Sequence, residues 1–292
     1  MNKDEIKART QGIIAEYDSG SPQPAANALR AYWLTFEPKS TAGVKAEQRA
    51  EQDHAGTPVD VLRVIGGELG KAARKAVPDF VPLARILWDE YGREGRIVAA
   101  VCLGPMQLAD PERIFPLLLG LARTCHTWED ADQLAMNAVE PVVRKFPEAW
   151  LAPLEPWLAD DNKWVRRIAI TVVGRLAMKR GDYAPRCLVL AERLLLDPET
   201  DVKRAVSFAI RLTAKGDAAP VRDFLARHVP PDDPAATWVL CDTIRSMAKR
   251  LLPEFVALLP VYEAWAGNPA LDGTARRSVA SAVSTLRNAA ES

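Results

Sequence analysis

Trp128 and Asp132 stand four residues apart in the segment HTWEDADQL, residues 126–134. On a helix this spacing puts an aromatic plate and a carboxylate on one face. Their neighbours have a simpler explanation. Thr127 followed by Asp130 has the form of a capping box with Asp in the usual Glu place, and Glu129 and Asp130 suit the positive end of a helix dipole. Asp132 falls outside that explanation. When the segment is laid over the next one like it, Asp132 takes the place of Ile168, an apolar position. A carboxylate in such a stripe is costly unless it is paired or used. Two readings are open on pattern alone: a working acid, or one half of an ion pair with a nearby arginine.

Most other chemistries lack their residues. His54, His126 and His228 are scattered, so a histidine-based triad or metal site is not indicated. Cys102, Cys125, Cys187 and Cys241 form no CxxC pair and have no nearby histidine, so neither a disulfide framework nor zinc is expected. No glycine-rich phosphate loop occurs. Gly66 and Gly67 in VIGGELG read as packing or turn glycines. No cofactor and no metal are expected. The start MNKDEIKAR leads into no apolar leader, and no apolar run nears the ~20 residues of a membrane span. A reduced, cytoplasmic chain is the simplest expectation.

The 38 basic and 38 acidic residues cancel, which gives no overall pull toward nucleic acid. The charge is nevertheless segregated. Residues 160–215 hold 12 Lys and Arg against 7 Asp and Glu.

The elements that position these residues are helices. Beyond residue 60 the apolar residues recur at i, i+3, i+4 and i+7, and prolines punctuate the pattern at 78, 111, 147, 153, 198, 220, 230, 231 and 234. A repeat is also present. Val165, Arg166 and Arg167 fall on Val202, Lys203 and Arg204 with an offset of 37, and the same step carries Val202 to Val239. Backward, Trp164 moves to Trp128 with an offset of 36. Each unit reads as helix, short turn, helix. The expectation is an all-α solenoid of HEAT-like helical hairpins whose second helices line a concave side, with a plain helical bundle as the alternative. Residues 1–55, with SGSPQPAAN and KAEQRAEQDH, read as a loosely packed helical cap or extension. Residues 56–292 read as the repeat domain, continuous with that cap in a single globular unit.

From about residue 56 to residue 215 the chain resembles the HEAT-repeat DNA alkylation repair glycosylases of the AlkC/AlkD superfamily, and is closer to the AlkD type. The resemblance rests on GTPVDVLRVIGGELGK, on Leu87-Trp88 with Glu94 to Arg96, on Trp128-x-x-x-Asp132, on residues 157–170, and on residues 202–211. It implies hydrolysis of the N-glycosidic bond of cationic alkylated purines, of the 3-methyladenine and 7-methylguanine class, in duplex DNA by a monomer. It implies Asp132 as the catalytic carboxylate, Trp128 against the sugar of the lesion, and Arg167 on the DNA backbone. Phe208 stands where the family pattern has a second tryptophan, keeping a flat apolar face and losing the indole N–H. Lys163, Arg166, Arg167, Lys203, Arg204 and Arg211 are the expected phosphate contacts. Two other functions compete: a non-catalytic binder of DNA structures, and a protein-binding HEAT scaffold.

Overall fold

The computed structural model describes residues 2–38 and 55–291. Among them the regular structure is helical, apart from one isolated bridge between Asp18 and Ser21. The chain separates into two compact units, Met1–Pro147 and Glu148–Ser292.

The first unit holds α1 (Lys3–Ala15), α2 (Gln23–Trp33), α3 (Val59–Ala73), α4 (Val77–Glu90), α5 (Gly92–Ala109), α6 (Pro111–Arg123) and α7 (Trp128–Leu134). A π-helical segment, Ala135–Val139, then leads into α8 (Glu140–Lys145). α1, α3, α5 and the run from α7 onward stack side by side in one layer, and α2, α4 and α6 pack behind them. Pro78 and Pro111 lie in the first turns of α4 and α6, where the missing N–H costs nothing. They open helices rather than lying between them. Ile6, Leu29 and Trp33 are buried, so the described part of the N-terminal extension is closely packed rather than loose. The charged stretch KAEQRAEQDH, with His54, lies outside the described residues.

The second unit runs from α9 (Pro147–Leu154) through α10 (Lys163–Lys179), α11 (Ala184–Glu192), α12 (Thr200–Gly216), α13 (Ala218–His228) and α14 (Thr237–Arg245) to α15 (Leu259–Ala266) and α16 (Gly273–Ala290). Here α10, α12, α14 and α16 stack in sequence, with α11, α13, the 3-10 segment Lys249–Leu258 and α15 behind. At Gly174 a Cβ would come within 2.7 Å of the Cβ of Ala209, so this glycine permits the close approach of α10 and α12.

The repeat is now measurable. The helices of the stacked layers begin at residues 59, 92, 128, 163, 200, 237 and 273, which is 33 to 37 residues apart. Within each unit, neighbouring helices of the layer bury apolar stripes against one another, the arrangement expected of a helical-repeat fold. The last 75 residues add two more such helices, α14 and α16.

Candidate active site

The start of α7 is built by its neighbour α5. Thr127 has extended backbone, and its hydroxyl accepts from the Asp130 N–H at 3.3 Å. Asp130 accepts in return from the Thr127 N–H at 3.3 Å and the His126 N–H at 3.0 Å, completing the capping box. Asp130 is almost wholly buried and also accepts from Arg96 Nη1 at 2.6 Å. Glu129 is gripped bidentately by Arg93, at 2.8 Å from Nε and 2.9 Å from Nη2. Arg93 and Arg96 thus tie the acids of α7 to the N-terminal part of α5. Arg96 also lies over the Trp88 ring at 5.1 Å, and the Trp88 indole donates to Thr124 Oγ1 at 2.9 Å, which fixes the turn ahead of α7.

Against this locked frame, Trp128 is 47% exposed and Asp132 is half-buried one turn further on. Burial holds the nearby Cys125 thiol well above its usual pKa, the Asp130 carboxylate adds to the shift, and Asp132 adds a smaller contribution. That thiol is neutral and unsuited to nucleophilic work. The π-helical segment follows at once, and the backbone of Asn137 there lies against Gly104 of α5. Single π turns are frequent at functional sites.

The helix starts correct the alignment made from sequence. The capping residues Thr127 and Asn162 are 35 residues apart, not 36. Asp132 therefore corresponds to Arg167, not to the buried apolar Ile168. It is the fifth residue of its helix, and the fifth residues elsewhere are Arg63, Arg96, Arg167, Arg204, Cys241 and Arg277. The anomaly survives in a different form: a carboxylate in a column of arginines.

In the second unit the basic candidates divide. Lys163 pairs with Asp201 at 3.1 Å and lies over the Trp164 ring at 4.5 Å. Arg166 donates to both oxygens of Asp197, at 2.6 and 3.2 Å, and to the carbonyls of Asp160 and Asp161. Arg167 is buried and donates to the Asp201 carbonyl at 2.6 Å. These three bind α10 to the turn that starts α12. Arg166 uses four donors in these bonds, and its side chain is only 13% exposed. Lys203 and Arg204 differ: Arg204 is exposed, and neither makes an ion pair among the described residues. Phe208 is 37% exposed, and Arg211 lies over its ring at 5.7 Å.

Arg93 and Arg96 are positioning residues to which the sequence reading gave no role. Their signal was present. Two arginines near the start of a helix oppose its dipole unless acids meet them.

The described residues contain no His, Cys, Asp and Glu group able to hold a metal ion, and no helix long and apolar enough to cross a membrane. Within each unit the described helices form a stack of helical hairpins. A model of the family described as "DNA alkylation repair enzyme" matches residues 34–236, and the chain belongs to that family. A search of curated proteins finds none that matches. Among solved structures, yeast importin-beta is similar with a TM-score of 0.43 and 12% identity, over 99% of this chain and 40% of that one.

Proposed function

We propose that the chain is a DNA glycosylase that hydrolyses the N-glycosidic bond of cationic alkylated purines in duplex DNA. One observation carries the reading: the carboxylate of Asp132 stands one helical turn from exposed Trp128, in a register position that is arginine in most sibling helices. An N3- or N7-alkylated purine is already a cation. When the C1′–N bond breaks, its electron pair leaves with the base and neutralises it, so no strong acid is required. The sugar left behind carries oxocarbenium character. A fixed carboxylate stabilises that charge, and an aromatic face beside it adds cation–π attraction. Water then bonds to C1′ through oxygen and loses a proton, with Asp132 positioned to orient it. In this reading Phe208, Lys203, Arg204 and Arg211 serve as DNA contacts of the second unit.

The test is release of 7-methylguanine and 3-methyladenine from methylated duplex DNA. Wild type is expected to release both bases, and Asp132→Asn to release them about 10²- to 10³-fold more slowly, the range typical for loss of one electrostatic stabiliser. Equal rates for the two proteins would refute the reading. Duplex binding without base release by wild type would instead favour a non-catalytic DNA binder.

A further inference from the structure

The family match ends at residue 236, and α14 begins at Thr237. Here two buried polar residues depart from the register of the repeat. Asp242 is the sixth residue of α14, where the stacked helices before it carry Val64, Ile97, Ile168 and Ala205, and α7 carries the neutral Gln133. Ser207 is the eighth residue of α12, where siblings carry Ala99, Ile170 and Ile244. A buried carboxylate is costly unless its bonds are satisfied.

They are satisfied by one cluster. Ser207 Oγ donates to Asp242 Oδ2 at 2.6 Å. Arg245 Nη2 donates to Asp242 Oδ1 at 2.6 Å, and the Ser246 hydroxyl to the same oxygen at 3.2 Å. Arg211 reaches across from α12, donating from Nε to the Ser207 carbonyl at 3.2 Å and from Nη1 to the Ser246 carbonyl at 3.0 Å. Two guanidinium groups and one carboxylate leave a net positive charge beside exposed Phe208. Arg211 has no carboxylate partner among the described residues. Burial lowers its pKa, Asp242 works against that shift, and repulsion from Arg245 adds to it, which places the two arginines within electrostatic reach.

We infer that Arg245, held by Asp242 and set beside Arg211, is a phosphate-binding residue that extends the DNA surface beyond the family-matched part of the chain. Asp242 is its positioning residue. A phosphodiester supplies the anion that this surplus charge lacks, and Phe208 offers an apolar face for the adjoining sugar or base. The inference rests on the reading of the chain as a DNA-binding enzyme.

The experiment measures binding of full-length protein to a duplex containing a tetrahydrofuran abasic analogue, across a series of salt concentrations. Each neutralised phosphate contributes about 0.9 to the slope of log K against log salt. Arg245→Gln is expected to reduce the slope by about 1 and Arg245→Lys to keep it, because the slope counts charge. Thermal melting without DNA checks that each variant is folded. Asp242→Asn serves as the second variant, and is expected to weaken binding by a smaller factor while leaving the slope near that of wild type. Equal slopes for wild type and Arg245→Gln, or an equal loss in Arg245→Lys, would overturn the inference and leave the glycosylase reading standing. Failure of wild type to bind the duplex at low salt would overturn both.

Discussion

Asp130 and Asp132 are two residues apart, the first buried and the second half-buried. Asp130 is consumed by structure: two backbone N–H groups and the Arg96 guanidinium converge on it in a buried site. Removing one partner of such a pair leaves an uncompensated buried charge. Arg96→Ala is therefore expected to cost about 3–5 kcal/mol of stability, measured by urea denaturation. Asp132→Asn keeps shape and hydrogen-bonding capacity at a half-buried position, so its unfolding midpoint is expected to stay close to that of wild type. The contrast matters for the functional test. A loss of base release in Asp132→Asn without a loss of stability assigns the carboxylate to chemistry. A matching loss of both would assign it to the frame.

At the scale of the helix, periodicity made the hairpins and their offset of 37 legible, because the steps at Lys163, Thr200 and Thr237 are constant. The step between α7 and α10 is shorter, since the cap Thr127 lies 35 residues before the cap Asn162. Sequence similarity between Trp128 and Trp164 concealed that single-residue slip. The π-helical turn has no periodic signature, and the basic candidates of α10 could not be sorted without knowing that the 197–201 turn carries Asp197 and Asp201 to meet them. Arg245 was missed because α14 lies past the resemblance, although the Asp in WVLCDTIR puts a charge at a position that is uncharged in the sibling helices. Gly104 is where the π turn meets its neighbour. A Cβ there would collide with the Asn137 carbonyl, so Gly104→Ala must push α5 and the π segment apart. The expected cost is about 1–3 kcal/mol, the usual range for overpacking, read from the melting transition. Base release should fall further than stability does, because Asp132 sits one turn before the displaced segment.

At the scale of the chain, the four cysteines act as built-in reporters. Cys102 and Cys125 are buried in the first unit, Cys187 and Cys241 in the second. Burial pushes the thiols of Cys102, Cys187 and Cys241 up to about 12 and that of Cys125 well above its ordinary value. All four are therefore protonated and shielded at neutral pH, and thiolate chemistry requires opening of the fold. In a helical repeat each hairpin is stabilised by its neighbours, so a local lesion weakens nearby repeats most. Labelling with a thiol reagent along a urea series, read by mass spectrometry, turns this into a measurement. Arg96→Ala is expected to bring the labelling of Cys102 and Cys125 to lower urea while Cys187 and Cys241 keep the wild-type midpoint. A common shift of all four would show instead that the chain unfolds as one cooperative body, with the buried ion pair at α7 contributing to the stability of every repeat.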